Sequence, residues 1–329
     1  MIGRRAALAG GLAVPALLRR ADARADNRKR IVMLLWRGWE EACDGFRDYL
    51  DAKGHAVEYI VRDAGQNVAA IPAFVREIEK TRPDMVFVWG GSTALAALGR
   101  WDAPTGGFIR DIPVVLAIVA DPLGSGLIRS LEHPGRPVTG TVYVAPVDVQ
   151  IRAMRAFRPF RRVATLFNPG EASSSAAVAQ LAALATRDGF ELIQQAVPTT
   201  DGEPQAAALP GLVAGFKAAG AEWLHIPPDT FLNTHRDTLT GSAMSERLPT
   251  FSATERFVTY SNGLAGLVCR YYNIGRFAGF KAEQILSGTA AADIPIETLS
   301  RFSLMVRMAT ARRLDFYPPL SMLRYAEAV

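Results

Sequence analysis

The sequence predicts an α/β fold of two doubly wound, Rossmann-like lobes joined by a hinge. Three observations predict it. Short apolar strands alternate with helical stretches from position 31 to 144, the alternation restarts at 147, and several strands end in small or polar loop residues. Such alternation gives parallel sheets with helices on both faces. A chain of 329 residues can bury two cores of ordinary size.

The elements follow in order. Residues 31–36 form an apolar strand. Residues 44–53 carry Phe46, Tyr49 and Leu50 at helical spacing, with Gly54 as the stop. A strand at 56–61 precedes a helix at 71–80, whose Ile71, Phe74, Val75 and Ile78 share one face. A strand at 85–89 runs into Gly90-Gly91 and a helix through Ala97. The strand at 114–119 ends in Asp121-Pro122, a Gly124-Ser125-Gly126 turn and a short helical pattern, and 138–144 closes this half. The second half reads as a helix at 147–157, a strand at 163–167 and a helix from about Ser173 to Arg187. Strands at 190–197, 223–226 and 250–252 and a helix at 212–219 follow. A late helix near 274–287 and a strand near 302–306 end the pattern. The first lobe is expected at 26–145, with 262–295 returning to it. The second is expected at 146–261, completed by 296–329.

Residues 1–25 read as an export leader: a basic start, an apolar stretch at 6–18 and Ala23-Arg24-Ala25 as a small-x-small cleavage site. Arg4-Arg5 hints at the twin-arginine route. The leader carries five arginines against Asp22, so of the net charge of +5 only about +1 is left for the rest. A nucleic-acid footprint is therefore not expected. No apolar run reaches the ~18 residues of a membrane span. Cys43 and Cys269 are expected as two unrelated buried thiols. The four histidines show no metal-type spacing, and no metal or cofactor is expected.

In open α/β sheets ligands bind at the carboxyl ends of the strands, so the loops there hold the candidates. Gly124-Ser125-Gly126 lacks the Lys-Ser/Thr of a phosphate loop and the third glycine of a dinucleotide fingerprint. Gly90-Gly91-Ser92-Thr93-Ala94 approaches a nucleophile elbow, which leaves a serine hydrolase using Ser92 as one alternative. Its other reading is a helix N-terminus offering N–H groups and two hydroxyls to a polar ligand. Trp36-Arg37-Gly38-Trp39 could stack on and pair with a planar or carboxylate-bearing ligand. Asp229, after Pro227-Pro228, could hold an ammonium or cap a helix.

The stretch "IPVVLAIVADPLGSGLIRSL", followed by Pro134-Gly135 and Val138-Thr139-Gly140, resembles the substrate-binding proteins of ABC importers that include the tryptophan- and tyrosine-binding members. "RVATLFNPGEASS", "YYNIGRFAGFKAEQILSGTAAADIPIET" and "FSLMVRMATARRLDFYPP" extend the resemblance over nearly the whole chain after the leader. Arg136-Pro137 replaces the family's Gly and Asn at what is expected to be a surface turn. The Trp36–Trp39 loop departs from the small, Pro-rich loop of that family, which points to a different ligand. The resemblance implies a periplasmic, two-lobed, non-enzymatic binding protein, monomeric, that closes on a small polar or aromatic ligand such as an amino acid. It implies a membrane permease and a cytoplasmic ATPase as partners. Its ligand contacts would fall on Ser92, Thr93, Val119, Ala120 and Asp121 in one lobe, and on Asn168, Asp229 and Thr254 in the other. A sensor that passes its ligand state to a membrane partner would read identically.

Overall fold

The computed structural model describes residues 28–104 and 106–329; the expected leader lies outside them. The first lobe runs through β1 (Lys29–Leu35), α1 (Glu41–Ala52), β2 (Val57–Asp63), α2 (Ile71–Thr81), β3 (Met85–Trp89), α3 (Gly91–Leu98), β4 (Val114–Val119) and β5 (Val138–Val142). The second opens with α4 (Val147–Phe157), β6 (Arg162–Phe167), α5 (Ala172–Asp188) and β7 (Glu191–Ala196). A small hairpin, β8 (Thr199–Thr200) and β9 (Glu203–Pro204), leads to α6 (Leu209–Ala218), β10 (Trp223–Ile226), α7 (Thr230–Thr234) and α8 (Arg236–Ser245). Then come β11 (Thr250–Ser252), α9 (Glu255–Thr259) and β12 (Ala265–Val268). α10 (Tyr271–Leu286) and β13 (Glu297–Thr298) return to the first lobe; β14 (Ser303–Val306), α11 (Met308–Leu314), α12 (Leu320–Leu323) and β15 (Glu327–Ala328) complete the second.

The sheet orders are β13-β5-β4-β3-β1-β2 and β15-β14-β12-β11-β10-β6-β7. All ladders of the two large sheets are parallel except β12–β14. The inner strands are covered on both faces, which is why they read as unbroken apolar runs. Alternate residues feed opposite layers. Val32, Leu34, Val86, Val88 and Leu116 face α2 and α3. Ile31, Met33, Leu35, Phe87 and Val115 face α1 and α10.

Each sheet reverses winding at one point: between β1 and β3 in the first lobe, and between β6 and β10 in the second. Those crevices are where a doubly wound sheet receives a ligand. The residues just past β1, β3, β6 and β10 are therefore brought together where the lobes meet.

Four expectations need correction. Residues 265–268, expected with the first lobe, form β12 beside β11 in the second, because all four are buried and Gly266 lets the ladder close onto Ser252. Residues 297–298, expected with the second lobe, pair with Thr141 and Val142 in the first. No helix follows Gly126: the chain turns through 122–126 and then runs irregularly. There Asp121 accepts the Gly124 N–H (2.7 Å), and Leu127 and Ile128 drop into the core. Position 136 is more than a surface turn. The Arg136 guanidinium donates to the carbonyls of Leu98 (2.6 Å), Gly99 (3.0 Å) and Leu127 (3.2 Å), and burial lowers its pKa to about 10. Cys43 and Cys269 are free and buried, with burial pushing both thiols up to about 12.

Candidate functional site

A cavity lies between the two winding-reversal points. The first lobe lines it with Arg37, Trp89, Gly90, Gly91, Ile118, Ala120, Tyr143 and Tyr271. The second supplies Glu171, Ser173, Asp229, Thr230, Asn233 and Thr254. Ile118 holds φ +56°, costly for a β-branched residue, where β4 shifts register between Leu116 and Val119. The irregularity turns the end of β4 into the cavity wall. An adjoining space is lined by Ser92, Val119, Asp121, Ser125 and Asn168. The cavity is narrow, about 30 Å³ between its walls, and continues into the adjoining space of about 120 Å³.

Of the residues expected at the site, Arg37, Ala120, Asp229 and Thr254 line the cavity, and Ser92, Val119, Asp121 and Asn168 line its extension. Thr93 lines neither; it is fully buried, its hydroxyl without a partner. Trp36 packs into the first-lobe core. Trp39 faces out, donating from its indole to Asp44 (2.9 Å) beneath the Arg47 guanidinium. The aromatic walls are instead Trp89, Tyr143 and Tyr271, packed edge-on, with Tyr271 between the other two. Their signal was position: Trp89 ends β3, Tyr143 follows β5 and Tyr271 starts α10.

Arg37 turns inward because Gly38, at φ +85°, allows the loop to bend. Its guanidinium lies 4.7 Å over the Trp89 ring, and its Nε donates to Glu40 (2.9 Å). Its two terminal nitrogens reach the Asn233 amide oxygen across the cleft at 2.9 and 3.0 Å, in the amide orientation that satisfies both side chains. Burial works against the charge, but Tyr271 and Glu40 outweigh it and the pKa is raised.

The two carboxyls of the second lobe play different parts. Asp229 caps α7, accepting from Leu232 N–H (2.9 Å), Asn168 N–H (2.7 Å) and the Ser174 hydroxyl (2.6 Å). It is a saturated brace between the loops after β6 and β10. Glu171, which sequence reasoning missed, accepts from Thr230 N–H (2.8 Å) and from the hydroxyls of Thr230 (3.1 Å) and Ser173 (3.2 Å). Among the described residues no basic side chain forms an ion pair with it. Burial, then the charge of Asp229, pushes its pKa up to about 7. The indole N–H of Trp89 and the hydroxyl of Thr254 are also buried at the cavity without a partner. The site thus offers donors on one side and an uncompensated carboxyl on the other.

His225 is sealed in the second lobe, its Nε2 2.9 Å from Gln150 Oε1, and burial lowers its pKa to about 4. The neutral ring is favoured in the fold. Its contribution is complete above the unfolded value near 6.5 and is lost as pH falls from there through 4. Its imidazole resonances should show no titration above pH ~5 in the native protein; a midpoint near 6.5 would contradict this burial.

Among the described residues there is no helix long and apolar enough to cross a membrane and no cluster of three His, Cys, Asp or Glu able to hold a metal ion. The chain is 23% identical over 282 residues to a tyrosine-binding protein of Clostridioides difficile, covering 84% of this chain and 77% of that one. A solved domain of Streptococcus pneumoniae in complex with L-Trp superposes with a TM-score of 0.78 at 21% identity, over 92% of this chain and 99% of that one. A conserved domain protein of Vibrio cholerae superposes at 0.79 with 21% identity, over 91% and 99%. These likenesses show the two-lobed fold. Residues 31–329 match the profile described as ABC transporter substrate binding protein, and the chain belongs to that family.

Proposed function

We propose that this protein captures an amino-acid-like zwitterion between its lobes and delivers it to a membrane permease driven by a cytoplasmic ATPase. The observation that carries the reading is Glu171. A buried carboxyl without a cationic partner costs free energy unless it is protonated or paired, and a ligand ammonium supplies the pair. On the first lobe, Arg37, the Trp89 indole N–H and the N-terminus of α3 at Gly91-Ser92 suit a carboxylate. Trp89, Tyr143 and Tyr271 suit an apolar or aromatic side chain. The names of the relatives, a tyrosine-binding protein and an L-Trp complex, support the same class. The family is typically extracellular or periplasmic, and the basic, then apolar, N-terminal stretch supports export to that compartment. Catalysis has no support here: Ser92 sits in the first lobe, and His225 is engaged by Gln150 in the second.

Native mass spectrometry and a thermal-shift panel test the reading. L-Tyrosine, L-tryptophan or another free amino acid should raise the melting temperature with concentration, as linkage requires. Tyramine, which lacks the carboxylate, and 4-hydroxyphenylacetate, which lacks the ammonium, should not. A shift with sugars or dicarboxylates alone would reject the zwitterion.

A further inference from the structure

We propose that Glu40 is the positioning residue of this site: one carboxylate holds Arg37 in the cavity and ties it to Arg256 of the opposite lobe, so that lobe closure and orientation of the guanidinium are one event. The inference rests on the cavity being the capture site.

Glu40 precedes α1 in the first lobe, and Arg256 lies in α9 of the second. Glu40 Oε1 accepts from Arg37 Nε at 2.9 Å and from Arg256 Nη1 at 2.7 Å. The three side chains are only 9%, 11% and 16% exposed. Two guanidiniums thus share one carboxylate in a poorly solvated seam. Among the described residues, Glu40 is the only carboxylate that either arginine pairs with. Arg256 otherwise lies against the Tyr260 ring at 5.1 Å, and its Nε has no partner.

The arrangement is conditional on closure. Parting the lobes takes Arg256 from Glu40 and Asn233 from Arg37 together, leaving Arg37 only the Trp89 face and a carboxylate no longer braced. The next residue, Glu41, repeats the link by accepting from the Tyr260 hydroxyl. The seam runs from the start of α1 to the end of α9, beside the cavity. Breaking one member of a buried ion-pair cluster strands its partners, and groups that act as one unit lose their effect non-additively.

The test uses the full chain with its leader removed, as wild type, Glu40→Gln, Arg256→Gln and the double variant; Arg256→Gln probes the same link from the other lobe should Glu40→Gln fold poorly. Small-angle scattering without added solute should show the wild type more compact than all three variants, which should expand alike. With L-tyrosine and L-tryptophan as calorimetric probes, each single variant should raise Kd by ~10-fold or more. The double variant should be no weaker than the worse single one, and Glu40→Asp should recover part of the loss. Variants that scatter like the wild type, or losses that simply add, overturn the proposal. If neither probe binds the wild type, the amino-acid reading fails by itself, and the scattering comparison still decides the role of Glu40.

Discussion

Glu171→Gln should weaken binding of a zwitterionic amino acid by ~100-fold and flatten its pH dependence, because a ligand ammonium loses its buried counter-charge. On the proposed reading, a ligand ammonium would pair only with the ionised carboxylate, whose pKa burial and Asp229 raise to about 7. Affinity should therefore rise by about tenfold per pH unit up to that value and level off above it. The stability effect has the opposite sense. A carboxyl raised in the fold favours the protonated form, so its contribution is complete below the usual carboxylate range and is lost as pH climbs through 7. The ligand-free variant should then be more stable than the wild type at pH 8, by on the order of 1–3 kcal/mol. Calorimetry across pH 5.5–8.5 and urea denaturation at pH 5 and 8 measure both. Unchanged affinity in the variant would remove Glu171 from the site.

The second large effect is expected far from the chemistry. Helices α1 and α10 pack with their backbones almost touching. A Cβ on Gly275 would lie 1.9 Å from the Ala42 carbonyl oxygen, and one on Gly45 2.0 Å from that of Tyr272. Backbone cannot yield as a flexible side chain can, so Gly275→Ala should cost about 3 kcal/mol or more in urea unfolding. Because α10 begins at Tyr271, a wall of the cavity, and α1 begins beside Glu40, which holds Arg37, forcing them apart disturbs the cavity, and affinity should fall with stability. Gly211→Ala in α6 is the control. Nothing lies within 4 Å of its added Cβ, so about 0.5–1 kcal/mol of stabilisation is expected from the lower entropy of the unfolded chain. Equal effects of the two substitutions would show that the close approach of α1 and α10 is not what Gly275 serves.

Much of the site was legible because strand ends are legible. Arg37, Ala120, Asp229 and Thr254 each follow a short apolar run that marks a buried strand, and the winding of a doubly wound sheet gathers such positions. The chemistry assigned to them was harder to read. Asp229 could equally brace or bind, and three hydrogen bonds from neighbouring elements engage it as a brace at the cavity wall. Glu171 lies in the loop after β6, a strand end that faces the cleft, but nothing local singles it out there; it matters because it is buried without a cation, which depends on every element packed around it. Trp36 and Trp39 drew notice for their type and proximity, yet the loop turned Arg37 inward between them.

By itself the sequence determined the alternation of strands and helices, the two-lobe plan and the loops that face the cleft, because hydrophobic periodicity and turn chemistry are local. Only the tertiary structure decided where the chain crosses between the lobes, which aromatic rings wall the cavity and which carboxyl stands unpaired. It also showed that Glu40 joins Arg37 to Arg256, residues 219 positions apart in the chain. Desolvation and ion pairing depend on what surrounds a group in space, and that surrounding is assembled from segments whose own patterns do not encode it.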